Sequence, residues 1–388
     1  MSNYCIVCEY NPLHNGHKYL IDVARSKGAD TVTCIMSGNS TQRGELAITD
    51  KYLRAEAAIK CGADLVLELP FPWCSASAEY FALAAVSIAG AIGDSLLFGS
   101  ECGDITRLYS AAELCETEDF KNSFEECKKS GVGAAAAYIQ CLSEGGYDNI
   151  SSNDILGISY IRAIKRLNMN ITAEAETRLG ADYNHEQPVD GIYQSATALR
   201  KYIENEDISS IKAFMPQPML DIITEELKGG RITDIKQAND AFIGFFRLKD
   251  ATELDDIAEM NGGLSNRFVS AAKQSVSVEE MLEKLKTKRY TDAKLRRAML
   301  FALTGTENQA LKSLPEYTLL LGANDKGRAL LAESRKKRAI KIITKPADAP
   351  RDTLQFVLSD KLDSIYGLAR KQKYTSDEFI KKKAYIEK

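Results

Sequence analysis

Asn11-Pro12-Leu13-His14-Asn15-Gly16-His17 is the stretch on which the fold turns. It follows a short β-branched run, Ile6-Val7, and precedes an amphipathic segment from Lys18 to Arg25, so the pattern is strand, tight turn, helix start. Peptide N–H groups at a helix start are unpaired and lie at the positive end of its dipole, which suits phosphate. Gly16 has no Cβ to hold a phosphate off the backbone. His14 and His17 share one face of the first turn, where imidazole N–H groups can stabilise charge developing on an α-phosphate as pyrophosphate leaves. The spacing reads as a nucleoside-triphosphate site. Two plainer readings compete: a histidine-rich helix cap, and half of a zinc site with H-x-x-H spacing. Zinc takes about four ligands, but the remaining histidine is His185 and no clustered cysteines follow, so no protein-bound metal site is expected.

A chain of 388 residues with 45% apolar and 27% charged content is an ordinary globular protein, long enough for two domains. The most apolar segment, 82–92, is too short to span a bilayer and reads as a buried helix, and no signal peptide is visible. Nine scattered cysteines, an odd number, suit a reducing cytoplasm. Cys5 and Cys8 have C-x-x-C spacing within a strand, which puts them on opposite faces and argues against metal or redox pairing.

Strand and helix signals then alternate. Strands are expected over 31–36, 64–69, 95–98 and 171–177, and helices over 50–60, from 76, and over 154–166. That alternation indicates a doubly wound parallel sheet whose ligand sits beyond the carboxyl ends of the strands, at the switch point. The turns after Tyr10, Met36, Phe98 and Thr177 would converge there. From about 205 strand signals fade and helical periods dominate, so 1–204 and 205–388 are read as an α/β domain and a mostly helical one.

The net charge of −4 averages unlike halves. Basic residues concentrate late: Lys284, Lys286, Lys288, Arg289, Lys294, Arg296 and Arg297, then Arg335, Lys336, Lys337, Arg338 and Lys341, then Lys381 to Lys383. Any one run reads equally well as a solvated helix face. Three in one half raise the case for a phosphate-backbone partner.

H-x-G-H after a first strand resembles the nucleotidylyltransferase superfamily, which shares its fold with class I aminoacyl-tRNA synthetases. An ordered set of motifs narrows the likeness: Glu9-Tyr10-Asn11-Pro12-Leu13-His14-Asn15-Gly16-His17, Met36-Ser37-Gly38-Asn39, Gln42-Arg43-Gly44-Glu45, the segment 62–70, Phe98-Gly99-Ser100-Glu101, Ser152-Asn153-Asp154-Ile155-Leu156-Gly157 and Ser195-Ala196-Thr197-Ala198-Leu199-Arg200. Lys288-Arg289-Tyr290-Thr291, Leu295-Arg296-Arg297 and Leu320-Leu321-Gly322-Ala323-Asn324 continue it. Together they resemble the bacterial tRNA(Met) cytidine acetate ligase family across nearly the whole chain. Leu13 stands where that family usually has Phe, and Leu46 where Pro is common.

The resemblance implies a Rossmann-like (HUP-type) catalytic domain followed by a helical tRNA-binding one. It implies a two-step reaction: acetate attacks ATP to give acetyl-adenylate and pyrophosphate. The wobble cytidine of elongator methionine tRNA then takes the acetyl group on N4. His14 and His17 would hold the phosphates from one side and Ser195, Thr197 and Arg200 from the other. Ser195 also reads as a simple helix cap, a compatible role. Val7, Glu9, Tyr10, Asn11, Pro12, Asn15 and Gly16 would line the ATP site, and Gly99, Asn153 and Arg178 would complete it. For Asn153 a helix cap is the alternative, and for Arg178 an ion pair with Glu176 or Asp182. Glu9 and Asp154 are left without a chemical role. The tRNA contacts would come from Lys288, Arg289, Lys294, Arg296, Arg297, Lys336 and Lys337. ATP is a substrate, with Mg2+ at most as its counterion. No membrane is involved and no protein partner can be inferred. A small-molecule adenylyltransferase and a non-catalytic tRNA-binding protein are the competing functions.

Overall fold

The computed structural model describes residues 2–178, 194–335 and 338–387. Five parallel strands form its centre: β1 (Asn3–Cys8), β2 (Thr31–Ser37), β3 (Leu65–Leu69), β4 (Ser95–Ser100) and β5 (Thr172–Thr177), in the order β5-β4-β1-β2-β3. The chain builds outward from β1 to β3, then returns to lay β4 against the other edge of β1. The crevice therefore opens between the carboxyl ends of β1 and β4. β2 and β3 are buried along their whole length, as strands covered on both faces must be.

The elements between these strands bear out the alternation. Helix α1 (Asn15–Ser26) follows β1, and α2 (Lys51–Lys60) follows β2, capped by Asp50, whose carboxylate accepts from Tyr52 N–H at 2.9 Å. Helix α3 (Ala78–Ala89) follows β3. Between β4 and β5 lie α4 (Ile105–Leu114), α5 (Glu118–Lys129), α6 (Ala134–Glu144) and α7 (Ser152–Arg166), of which only the last was expected. Helix α8 (Ala196–Glu204) comes next. One face of the sheet packs against α3, α4 and α7 and carries Cys5; the other packs against α1, α2 and α8 and carries Cys8, so the two thiols lie in opposite core clusters.

Beyond residue 204 the expectation of fading strands needs correction. After α9 (Gln217–Lys228), α10 (Asn239–Leu248), α11 (Leu264–Lys273), α12 (Val278–Leu285), α13 (Asp292–Thr304) and α14 (Asn308–Lys312), strand β6 (Tyr317–Ala323) returns to the sheet and pairs antiparallel with β3. Helix α15 (Asp325–Ser334), strand β7 (Lys341–Ile343), α16 (Leu354–Leu368), α17 (Ser376–Lys381) and β8 (Tyr385–Ile386) follow, with β7 and β8 both beside β6. The run Leu319-Leu320-Leu321 is apolar without period, which does not separate a buried strand from a buried helix. Pairing with β3 decides it. Helix α9 packs on α2, and residues of α10 to α13 share one apolar cluster with α3 and α7, so the two halves bury a continuous core.

Candidate active site

The turn leaving β1 builds the site. Tyr10 takes φ +49, and the Asn11–Pro12 peptide is cis. The Asn11 side chain accepts from Ile48 N–H at 2.7 Å, while its buried Nδ2 has no protein partner. His14 then caps α1. Its Nδ1 accepts from Gly16 N–H at 3.1 Å, and His17 Nδ1 accepts from His14 N–H at 3.3 Å, a reciprocal capping box made of two imidazoles. The rings stack with centroids 3.7 Å apart, and Tyr10 meets His17 edge-on at 5.1 Å.

This geometry corrects the expectation that open backbone amides face the phosphates. Asn15 N–H donates to the Phe214 carbonyl at 2.9 Å, Gly16 N–H to His14 Nδ1, and the N–H groups of His17 and Lys18 to the His14 carbonyl. Each amide of the first turn thus has a protein acceptor, a ring nitrogen for Gly16 and backbone carbonyls for Asn15, His17 and Lys18. The donors that remain are on the rings. With both Nδ1 atoms accepting, each neutral imidazole carries its proton on Nε2. Neutrality follows from the surroundings. Burial, then the charges of Arg178 and Arg200, push the His14 pKa down to about 3. Burial, then the charges of His14 and Arg178, hold His17 well below its usual value, against a hydrogen bond with the Pro12 carbonyl.

Arg200 faces this turn from α8. Its Nη1 donates to the Asn11 carbonyl at 2.8 Å; its Nη2 donates to Glu45 Oε2 at 2.7 Å and to Thr197 Oγ1 at 3.3 Å. Ser195 is the N-cap of α8, accepting from Ala198 N–H at 3.2 Å. Glu9, at the end of β1, accepts from Gln42 N–H at 2.7 Å. Burial raises its pKa and the neighbouring Glu45 carboxylate adds to that, while the Gln42 amide and the charges of Arg200 and Arg43 oppose it. Val7 is partly buried on β1, and Pro12 is buried in the turn.

On the β4 side, Glu101 gathers the expected residues. Asn153 Nδ2 donates to its Oε1 at 2.6 Å, and Arg178 Nε lies 3.4 Å from the same oxygen. The ion pair of Arg178 is thus with Glu101; of the two partners expected for it, Asp182 lies outside the described residues. The stem of Arg178 covers Gly99, where an added Cβ would sit 3.0 Å from Arg178 Cγ. Ser151, and not Asn153, caps α7, with Asp154 closing a capping box. Burial alone would raise the Asp154 pKa, but hydrogen bonds from Ser100, Ser151 and Cys102 N–H outweigh it and hold the carboxyl below its usual range. Asp154 orders the β4–α7 corner.

Two residues of the site carried no recognisable signal. Arg54, fully buried, donates Nε to Thr49 O at 3.0 Å, Nη1 to Glu9 O at 2.5 Å and to Ser37 O at 3.1 Å, and Nη2 to Gly38 O, stitching the ends of β1 and β2. An arginine amid the alanines of α2 was the available hint. Glu45 stood in a quoted motif without a role.

The expected tRNA contacts divide. Lys288 and Arg289 are exposed on a turn. Lys294 donates to Asn261 at 2.8 Å and lies over the Tyr290 ring. Arg297 makes a bidentate pair with Glu259 at 2.7 and 2.8 Å, both mostly buried, and Arg296 donates to Glu45 at 3.1 Å. Lys382 pairs with Asp50 at 2.5 Å. Several of the late cations are thus spent on internal carboxylates that the sequence pattern could not match to them. Lys336 and Lys337 lie outside the described residues. Among the described residues there is no His, Cys, Asp or Glu group arranged to hold a metal and no helix long and apolar enough to cross a membrane.

A switch-point crevice with a two-histidine cap is the feature by which the chain can be placed among known proteins. A model of the HIGH Nucleotidyl Transferase family matches residues 1–379. The tRNA(Met) cytidine acetate ligase of Acetivibrio thermocellus is 36% identical over 365 residues, 88% of each chain. That of Caldicellulosiruptor bescii is 39% identical over 348 residues, 88% of this chain and 86% of its own. This chain belongs to the tRNA(Met) cytidine acetate ligase family of HIGH nucleotidyl transferases. The crystal structure of Thermotoga maritima TmcAL bound with alpha-thio ATP superposes with a TM-score of 0.89 at 30% identity, covering 100% of both chains. Its apo form I gives 0.91 at 30% identity, over 100% of this chain and 99% of that one. The family likeness thus extends over the sheet, the crevice and the helical half alike.

Proposed function

We propose that this protein is an ATP-dependent acetate ligase that acetylates N4 of the wobble cytidine of elongator methionine tRNA. The convergence of His14, His17, Arg178 and Arg200 at the β1–β4 crevice carries the reading. The charges of Arg178 and Arg200 both bear on His14, whose ring stacks on His17 at 3.7 Å, and Arg200 reaches the Asn11 carbonyl of the same turn at 2.8 Å. Attack by acetate on the α-phosphate joins two anions. It therefore needs fixed positive charge and in-line positioning more than it needs a base. Arg200, with Ser195 and Thr197, holds the phosphates from α8; His14 and His17 donate from Nε2 as charge builds on the leaving pyrophosphate. Asn153 and Arg178 fix the nucleoside end against Glu101 and Gly99. The carboxylate of acetate forms a bond to the α-phosphorus, the bond to pyrophosphate breaks, and acetyl-adenylate remains.

In the second step the cytidine amine attacks the acetyl carbonyl, AMP leaves, and N4-acetylcytidine forms. A loop base can be splayed into a pocket for this. The exposed Lys288 and Arg289, with Lys294, supply phosphate contacts from the second half, so that 1–204 carries the ATP chemistry and 205–388 the tRNA. The test uses ATP, labelled acetate and the whole protein. Pyrophosphate release with acetate alone, and label on the anticodon cytidine once methionine tRNA is added, is the expected result. Replacing that cytidine by uridine removes the amine and stops transfer. AMP attached instead to a phosphorylated metabolite, with unacetylated tRNA, overturns the assignment in favour of a small-molecule adenylyltransferase.

A further inference from the structure

Glu45 divides its carboxylate between the two halves of the chain. Oε2 accepts from Arg200 at 2.7 Å and Oε1 from Arg296 at 3.1 Å. The side chains of Glu45, Arg200 and Arg296 are 25%, 15% and 35% exposed, so the Arg200 pair is largely shielded from bulk water and salt and the Arg296 pair only in part. The turn that carries Glu45 is held on several sides. Thr41 N–H donates to the Glu45 carbonyl at 2.9 Å, Gly44 N–H to the Thr41 carbonyl at 2.9 Å, and Gln42 N–H to Glu9 at 2.7 Å. Gly44 takes φ +73, and a Cβ there would stand 2.4 Å from Arg297 N. Only glycine lets this turn lie directly on the backbone of α13.

We propose that Glu45 is a positioning residue that holds Arg200 for the triphosphate and ties it to Arg296, so that the ATP step senses the α13 segment. The proposal rests on the reading of Arg200 as a phosphate-binding residue. With two arginines, each carboxylate oxygen serves one guanidinium. Without Arg296, both oxygens turn to Arg200 and draw it from the triphosphate. Without the carboxylate, Arg200 keeps only the Asn11 carbonyl and Thr197. Both changes disturb the same contact, so their effects overlap and do not add.

The experiment compares wild type, Glu45→Gln, Arg296→Ala and the double variant without tRNA. Two quantities are read: affinity for a non-hydrolysable ATP analogue, and acetate-dependent pyrophosphate release. Arg296→Ala is expected to weaken at least one of them by about 3–10-fold, in the lower part of the range of coupling between contacting residues. In the Glu45→Gln background it should change neither by more than about 1.5-fold, since the link is already broken. Arg296→Lys keeps the charge on Glu45 and should restore most of the loss. Arg296→Gln stands in if the alanine variant does not fold. A lowered melting temperature with ATP affinity and turnover unchanged would mean a structural staple only, and would overturn the proposal. Equal losses in both backgrounds would overturn it too. A wild type that binds the analogue but releases no pyrophosphate with acetate overturns the ligase function, and the binding cycle alone then decides the coupling.

Discussion

The His14 and His17 imidazoles stack 3.7 Å apart, and each gives its Nδ1 to a backbone N–H of the turn they cap. One arrangement thereby does two things. It closes the helix end that a free anion would otherwise find, and it fixes the tautomer of both rings with the proton on Nε2, the His17 ring also meeting the Pro12 carbonyl. In the proposed chemistry the histidines act through their rings, while the amides behind them hold the rings still.

Removing one ring should therefore affect rate far more than fold. His17→Ala is expected to slow acetate-dependent pyrophosphate release by about 10²–10³, the usual cost of one transition-state donor. Stability should fall by only about 1 kcal/mol for the lost half of the cap. Wild-type turnover in this variant would show that the ring does not serve the chemistry.

Acid should weaken the fold through His14. Its folded pKa lies near 3 and its unfolded value near 6.5, so between these the unfolded chain binds more protons and stability falls as pH falls. The contribution is complete above about pH 6.5, and its slope approaches about 1.4 kcal/mol per pH unit below that. His14→Asn can still cap the helix but does not titrate there. Denaturation between pH 4 and 7 should show a shallower loss for the variant; parallel curves would mean His14 is not the titrating group.

Arg54 should be among the most costly residues to lose. Arg54→Met leaves the carbonyls of Glu9, Ser37, Gly38 and Thr49 buried without their donor. At about 1–3 kcal/mol for each unsatisfied group, partly relieved by relaxation, urea denaturation should read a loss of about 3–5 kcal/mol. A change under about 1 kcal/mol would mean that water replaces the guanidinium.

The basic segment should split by function. Lys288→Ala and Arg289→Ala are expected to weaken tRNA binding and reduce its salt slope by about 0.7–0.9 for each lost phosphate contact, leaving the melting temperature alone. Arg297→Ala should do the reverse. It strands the mostly buried Glu259, so it lowers stability by about 3–5 kcal/mol. Filter binding across a salt series, beside thermal melts of the same proteins, separates the two classes.

Periodic features were readable in the chain. The five parallel strands, helices α1, α2, α3 and α7 and the H-x-G-H turn rest on neighbours within a few residues, and local spacing reports local geometry. Features made by distant partners were not. The strand at β6 looked like any apolar run until β3 lay beside it. Arg178 was expected in the ATP site, with an ion pair to Glu176 or Asp182 as the alternative; its pairing with Glu101, on another strand end, had no signal in the spacing. Asn153 serves Glu101 while Ser151 takes the cap, a choice that spacing alone leaves open.

The amino-acid order by itself determined that a β-strand runs into a helix capped by two histidines three residues apart, because backbone propensity and side-chain spacing act within a turn. It also determined the hydrophobic alternation that stacks those units into a parallel sheet. Only the tertiary structure decided which charges face which. Glu45 meets Arg200 and Arg296 across 155 and 251 residues of chain, and Glu259 takes Arg297 out of the exposed basic face. An ion pair has no period along the chain: its partners are chosen by whichever backbones the core brings within a few ångströms, and that choice belongs to packing.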